Sequence, residues 1–192
     1  EQQPDLKNAM EHYRKAKHLD SENDEVSMRL GIVYRKRKQY SEAISELEHA
    51  LSLDPYNFGV HREIGITYFD QKQYDKARNK LGEFLRLRSN DPEAHTYLAR
   101  IYIEQNEYDK AIEKLQEVLR YAPSYAEAHF QLGSIYAGKG MYQDAMREYQ
   151  VALQMNPTNP DALYKLSLLY AQQKDYEKAI ELCKRALLFQ PD

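Results

Sequence analysis

Several features that would direct the search for a function are scarce or missing in this chain of 192 residues. Cys183 is the only cysteine, so no internal disulfide can form and stability must come from packing. The longest apolar runs, such as residues 187–189, fall far short of the roughly 20 residues that a membrane-spanning helix needs. The sequence therefore excludes a disulfide-stapled protein and a membrane span.

An excess of positive charge is also missing. The chain has 27 Lys and Arg against 30 Asp and Glu, which gives a formal net charge of −3. Nucleic acids and anionic membrane surfaces attract clustered positive charge, which this composition does not supply. The opening EQQPDLKNAM lacks the basic start and the apolar stretch of a signal peptide. We therefore expect a soluble protein that does not bind nucleic acid. The sequence favours the cytoplasm but does not determine the compartment.

What the chain does contain is a repeat with a period of 34 residues. One tyrosine column consists of Tyr34, Tyr68, Tyr102, Tyr136 and Tyr170, and a second consists of Tyr40, Tyr74, Tyr108, Tyr142 and Tyr176. An alanine column consists of Ala43, Ala77, Ala111, Ala145 and Ala179. A column of small residues consists of Gly31, Gly65, Ala99, Gly133 and Ser167. Members of the small column would let another backbone come close.

Within each unit the apolar residues recur at helical spacing, as Leu98, Ile101 and Tyr102 illustrate. This spacing predicts two helices per unit, and the short turns between them predict antiparallel neighbours. The predicted units are 24–57, 58–91, 92–125, 126–159 and 160–192. Residues 1–23 fit the second helix of an earlier unit, so we expect the chain to begin inside a longer array.

These residues resemble the tetratricopeptide repeat, a family whose 34-residue unit carries small, aromatic and proline positions at these spacings. In unit 126–159 the matching residues are Leu132, Gly133, Tyr136, Ala145, Tyr149, Ala152 and Pro157, with His129 where the family often has tryptophan. The resemblance implies an all-α fold, a right-handed superhelical solenoid of antiparallel helix pairs that together form one domain. In such a stack, neighbouring pairs bury each other's apolar faces and so form a shared hydrophobic core, which a single pair could not form alone.

Three features could suggest a chemical site, and a structural role explains each of them better. His61, His95 and His129 repeat at the same spacing, but equivalent helices stand about 8 to 10 Å apart. Zinc needs its nitrogen ligands at about 2.0 to 2.1 Å. Cys183 occupies a column of leucines, so a buried thiol is favoured, and the GKG sequence at 138–140 is interpreted as a turn. We predict no catalytic residue, no metal site and no cofactor.

A binding surface follows from the resemblance, because in this family the first helices of successive units line a concave groove. The predicted peptide-binding groove consists of Met28, Ile32, Arg35, Arg62, Ile66, Phe69, Arg100, Ile103, Phe130, Ser134, Tyr164 and Leu168. These positions vary between units while the core columns do not, as expected for a recognition surface on a repeated scaffold. The alternative is that some of these side chains face neighbouring helices.

The resulting functional prediction is a non-enzymatic scaffold for another protein. The groove composition favours a peptide or helix with apolar anchors and some acidic groups, the latter facing Arg35, Arg62 and Arg100. The basic run at residues 35–38 could itself contact an acidic partner or act as a localisation signal, but an ordinary solvated turn is favoured.

An alternative function is self-assembly through open ends of the stack. The residues of the last helix that we expect to face another repeat or another molecule are Ala179, Cys183, Ala186, Leu187 and Phe189.

Unit 58–91 departs from the pattern at Arg78, Gly82, Phe84 and Ser89. These departures predict a local change of superhelical pitch at its junction with unit 92–125.

Overall fold

The computed structural model describes residues 2–189, with side chains from residue 5 onward. The described residues form helices and turns. The helices are α1 (Gln2–Leu19), α2 (Asp24–Lys36), α3 (Tyr40–Leu53), α4 (Phe58–Asp70), α5 (Tyr74–Leu87), α6 (Pro92–Glu104), α7 (Tyr108–Tyr121), α8 (Ala126–Gly138), α9 (Tyr142–Met155), α10 (Pro160–Gln172) and α11 (Tyr176–Phe189). The prediction of an all-α protein built from helix pairs is confirmed.

The chain divides into two compact units at Ser89 and Asn90. The N-terminal unit contains α1–α5 and the C-terminal unit contains α6–α11. We call α2, α4, α6, α8 and α10 the first helices, and the odd-numbered helices the second helices. The division falls close to the predicted junction of units 58–91 and 92–125. The change of pitch at that junction, the repeat boundaries and the grouping into one domain stay predictions.

Three of the first helices, α2, α6 and α10, begin where a short polar side chain caps the backbone. Asn23 accepts a hydrogen bond from the Val26 amide at 3.1 Å, and Asp91 accepts one from the Ala94 amide at 2.8 Å. Asn159 accepts one from the Ala162 amide at 3.0 Å. Such caps satisfy amides that lack a partner within the helix.

The turn inside each pair contains one residue in the left-handed backbone region, again at 34-residue intervals. These residues are Lys38, Lys72, Asn106, Gly140 and Lys174, with φ of 60°, 61°, 60°, 74° and 66°. Gly140 belongs to the GKG sequence, and α8 ends at Gly138. The structure therefore places that sequence in an inter-helix turn, as predicted.

Close approach within the pairs occurs at the small column. A Cβ added to Gly31 would lie 2.8 Å from Leu47 Cγ, and one added to Gly65 would lie 2.8 Å from Leu81 Cγ. A Cβ added to Gly133 would lie 2.8 Å from Tyr149 Cδ1. The small residues therefore let the first helix of each of these pairs meet the second.

Within each compact unit, the core continues from a second helix into the first helix that follows it. In the N-terminal unit, Leu47 and Ala50 of α3 cluster with Val60 and Ile64 of α4. In the C-terminal unit, α7 packs in the same way on α8, and α9 packs on α10. Through this shared packing, neighbouring pairs of the same unit complete each other's core.

Candidate functional site

The predicted groove residues of the N-terminal unit lie on α2 and α4, which contact each other directly. We call them the N-terminal first-helix face; they are Met28, Ile32, Arg35, Arg62, Ile66 and Phe69. Ile66 is fully buried and Phe69 is 8% exposed, whereas the other four are half-buried. The alternative that some groove positions face neighbouring side chains therefore applies to Ile66 and Phe69.

The two arginines of this face pair with carboxylates of α4. Arg35 Nη1 donates to Asp70 Oδ2 at 3.0 Å, and Arg35 Nη2 donates to Glu63 Oε2 at 3.3 Å. Arg62 Nη2 lies 3.7 Å from Glu63 Oε1. Glu63 is only 7% exposed, and a buried carboxylate needs a positively charged partner to offset the cost of removing its charge from water. The positive charge of Arg35 and Arg62 is thus largely balanced inside the protein.

Sequence reasoning missed Glu63 as a partner of Arg35. The two residues are 28 apart in the chain, which matches neither a helical spacing nor the 34-residue period. A periodic pattern carries no signal for this contact. Arg35 therefore belongs to an ion network and not to a freely solvated basic turn.

The C-terminal unit presents the remaining groove residues on α6, α8 and α10. We call them the C-terminal first-helix face; they are Arg100, Ile103, Phe130, Ser134, Tyr164 and Leu168. Tyr164 and Leu168 are 53% and 49% exposed and lie one helical turn apart on α10. The other four residues are half-buried. An exposed aromatic and aliphatic pair on one helix face is suited to receive apolar side chains of a partner.

Two of the half-buried side chains on α8 also support the fold. The Phe130 ring lies 5.9 Å from the Tyr149 ring, centroid to centroid. The Tyr149 hydroxyl donates to Ser134 Oγ at 3.2 Å, and Ser134 Oγ donates to the Phe130 carbonyl at 3.1 Å. Burial raises the pKa of Tyr149, and the hydrogen bond to Ser134 opposes that shift. The Ser134 hydroxyl is therefore engaged with α9 and with its own helix.

The histidine column takes part in packing and local hydrogen bonds. His129 Nδ1 lies 2.7 Å from Glu148 Oε2, and its Nε2 lies 3.0 Å from the Pro123 carbonyl oxygen. Burial lowers the pKa of His61. In residues 5–189, no group of three or more His, Cys, Asp or Glu side chains is placed to hold a metal ion.

The cysteine has a local partner as well. Cys183 is half-buried, with its Sγ 3.0 Å from Ser167 Oγ. This contact joins α11 to α10 within the last helix pair.

The prediction that the alanines of the last helix face another repeat or another molecule is wrong. Ala179 and Ala186 were expected to face outward, but they are 7% and 8% exposed and lie in or beside the α10–α11 core. The outward side of α11 carries Ile180 and Leu187, which are 55% and 67% exposed. Because successive helical residues are about 100° apart, the step from Ala179 to Ile180, or from Ala186 to Leu187, turns the side chain away from α10.

No helix in the described part of the chain is both long enough and apolar enough to cross a membrane.

Comparisons with known proteins agree with this architecture. Residues 45–192 match the family model described as the tetratricopeptide repeat protein 21 C-terminal ARM domain, and residues 25–57 match the model of the tetratricopeptide repeat. No match was found among proteins with curated descriptions.

Several solved structures share the fold. The crystal structure of MamA is 25% identical, with a TM-score of 0.65, and the match covers 84% of this chain and 95% of MamA. YrrB, described as a tetratricopeptide repeat protein with an unusual peptide-binding site, is 23% identical, with a TM-score of 0.60 and coverage of 96% and 95%. A chain of the Cut9–Hcn1 hetero-tetramer of APC/C is 17% identical, with a TM-score of 0.84 and coverage of 98% of this chain and 38% of that chain. With its repeated helix pairs and the family match over residues 45–192, the chain belongs to the tetratricopeptide repeat proteins, in the family described as the tetratricopeptide repeat protein 21 C-terminal ARM domain.

Proposed function

We propose that this protein is a non-catalytic scaffold that binds a peptide or helical segment of another protein on its C-terminal first-helix face. The observation that carries the proposal is the exposure of Tyr164 and Leu168, at 53% and 49%, on adjacent turns of α10. Large apolar side chains exposed together on a rigid helix are typical of sites that receive apolar anchors.

The fold supports this function in general terms. Repeat proteins of stacked helix pairs present extended surfaces on a scaffold whose core is built independently of the recognition residues. YrrB, which shares the fold, is described as having a peptide-binding site. The same architecture is therefore compatible with peptide recognition.

The two first-helix faces differ in what they offer a partner. On the N-terminal face the strongest predicted anchors, Ile66 and Phe69, are buried, and the cations are paired with carboxylates. On the C-terminal face, the exposed Lys165 supplies positive charge alongside the apolar pair of α10. The proposed partner therefore carries apolar anchors and some acidic groups, and it engages the C-terminal face.

Selection from a random-peptide phage library tests this proposal. Peptides enriched on the wild-type protein should lose most of their affinity for the variant Tyr164→Ser/Leu168→Ser, measured by fluorescence anisotropy. The matched control is Tyr108→Ser/Tyr142→Ser, which removes two tyrosines that are 36% and 42% exposed at the starts of second helices. Failure to enrich any peptide, or equal binding to both double variants, would overturn the proposal.

Self-association through the ends of the stack stays a prediction. Light scattering over a concentration series measures it directly, because a self-associating chain increases in apparent mass with concentration.

A further inference from the structure

We propose that the groove between α9 and α11 binds an extended peptide segment of another protein, one that carries a large apolar side chain close to a carboxylate. The cavity has a volume of about 380 Å³ and lies over α10, with walls formed by the two second helices. This volume falls in the range of ligand-binding clefts, about 300 to 1,000 Å³. We call it the α9–α11 groove. Tyr164 and Leu168 lie outside its lining, so the inference goes beyond the function proposed above and does not depend on it.

The floor of the groove is apolar. Leu166 of α10 and Leu182 of α11 are 3% and 8% exposed, and Leu153 of α9 and the ring of Tyr170 are half-buried beside them. At the position of Leu182, the second helices α3, α5, α7 and α9 all carry a charged residue: Glu46, Lys80, Lys114 and Glu148. The last pair therefore offers an apolar surface where its counterparts carry a charge.

The same replacement leaves a cation of α11 without its usual kind of neighbour. In α5, Lys80 Nζ donates to Glu83 Oε2 at 2.9 Å, and the equivalent bond recurs in α7. The residues at these two positions of α11 are Leu182 and Arg185. Because leucine cannot pair with a charge, Arg185 has no ionic partner at this spacing.

Arg185 is therefore the group that selects an anion. It is half-buried, and its Nη2 donates to the Pro157 carbonyl oxygen at 3.4 Å. Within residues 5–189 its guanidinium forms no ion pair. A guanidinium has five N–H donors in a planar fork that matches the two oxygens of a carboxylate. The apolar floor beside it is suited to a large apolar side chain.

Two other charged residues line the groove. Lys178 Nζ donates to Asp175 Oδ2 at 2.7 Å and lies 5.2 Å from the centroid of the Tyr170 ring, so its charge is already balanced. Glu181 is exposed on the rim, where water and salt screen its repulsion of an anion. The half-buried Arg185 is screened less, so the attraction of the groove for a carboxylate depends mainly on this residue.

The open rim favours a peptide over a free small molecule. Gln150, Gln154 and Glu181 are exposed along the two sides of the groove. Pockets for small molecules bury most of the ligand surface, whereas an open groove covers one side only. A peptide inserts one side chain and leaves its backbone at the rim, where the Gln154 amide can both donate and accept hydrogen bonds. The seven residues from Lys178 to Arg185 span about 10 Å, the length of about three extended residues.

A helix packed on the far side of α11 would not cover this groove. The residue of α9 equivalent to Glu181 is Arg147, and its side chain is 73% exposed although α10 follows α9. Gln150 and Gln154 of α9 are also exposed in the presence of α10 and α11. The accessibility of the groove therefore belongs to the side of the stack on which it lies.

An array of synthetic peptides tests the inference. Each peptide is a Gly/Ser chain of eight residues with one Leu or Phe and one Asp or Glu, separated by zero to three residues. The array is probed with the labelled full chain, and the affinity of the best peptide is measured by fluorescence anisotropy. Replacing its acidic residue with Lys, or its apolar residue with Ser, should weaken binding at least about tenfold.

Protein variants then locate the site. Arg185→Gln should weaken binding at least about tenfold, because the carboxylate loses charge-assisted hydrogen bonds. Lys184→Gln is the matched control, since it removes the same charge from an exposed residue outside the lining; binding should change by less than about twofold. Glu181→Gln should strengthen binding by about two- to fivefold, because it removes a like charge from the rim. Circular dichroism should show the same helix content in all three variants.

The inference is overturned if no peptide of the array binds at millimolar concentration, or if Arg185→Gln and Lys184→Gln weaken binding equally. Loss of binding in Tyr164→Ser/Leu168→Ser with no effect of Arg185→Gln would place the peptide on the C-terminal first-helix face. Octanoate that binds at Arg185 more tightly than any peptide would identify a small carboxylate as the occupant. Dimerisation in light scattering that Arg185→Gln abolishes would identify a second copy. Each of the last three results also contradicts the inference.

Discussion

Replacing Gly65 with alanine tests the packing principle on which the whole fold depends. An alanine Cβ would lie 2.8 Å from Leu81 Cγ, 2.9 Å from Leu81 Cδ2 and 3.2 Å from the Leu81 amide nitrogen. Leu81 is fully buried, so its side chain cannot move into solvent to relieve the contact. Overpacking of this kind costs about 1 to 3 kcal/mol of unfolding free energy.

The helix itself favours alanine, and this opposing effect must be included. Glycine in a helix interior is about 1 kcal/mol less favourable than alanine. With a clash of about 2 kcal/mol, Gly65→Ala should destabilise the protein by about 1 kcal/mol in total. Gly82 of α5 is the matched control, since a Cβ there meets no atom within 4 Å. Gly82→Ala should stabilise the same unit by up to about 1 kcal/mol, so the two variants should differ by about 2 kcal/mol.

Urea unfolding followed by circular dichroism measures both variants, and a double-mutant cycle isolates the contact. In a Leu81→Ala background, the Cγ and Cδ2 atoms that meet the new Cβ are gone. Gly65→Ala should then lose most of its cost. Equal stability of Gly65→Ala and Gly82→Ala, or an unchanged cost in the Leu81→Ala background, would refute the reasoning.

Three further predictions concern a turn, a buried phenol and the basic run. Gly140→Ala should destabilise the protein by about 1 kcal/mol, because φ is 74° there and alanine disfavours this left-handed conformation. Gly138→Ala is the control and should be neutral or slightly stabilising, because a Cβ there meets no atom within 4 Å. Thermal unfolding measures the stability of both variants. Burial raises the pKa of Tyr121 to about 12, so the folded state favours the neutral phenol, and stability should fall as the pH rises from about 10 to about 12. Tyr121→Phe should reduce this loss of unfolding free energy at alkaline pH, measured by urea unfolding at each pH. An identical loss in the wild type and the variant would show that Tyr121 is not its source. Arg35→Ser should cost about 2 kcal/mol in urea unfolding because it leaves a buried carboxylate short of a partner, while the exposed Lys36→Ser should change stability by less than about 0.5 kcal/mol.

Much of the fold could be predicted because its pattern is local and repeated. The recurrence of Gly31, Gly65 and Gly133 predicts a position where helices approach closely, and the added-Cβ distances of 2.8 Å bear this out. Apolar spacing within one unit predicts two helices, and five units in phase make the assignment robust.

The candidate site could be predicted only in part. The sequence places Ile66 and Leu168 in one column, yet Ile66 is fully buried and Leu168 is 49% exposed. A column specifies the side of a helix on which a residue lies. It does not specify what covers that side, because the covering atoms come from other parts of the chain.

The amino-acid sequence by itself determined the repeat period, the helix pairs and the small positions between them, because each depends on spacing along one or two neighbouring helices. Only the tertiary structure decided that Arg35 pairs with Glu63 and Asp70, and that α11 turns Ile180 and Leu187 outward. The physical reason is that charge pairing and burial depend on distances between atoms far apart in sequence. Helical periodicity determines the direction in which a side chain points around the axis of its own helix, but it does not determine the distances between atoms of different helices.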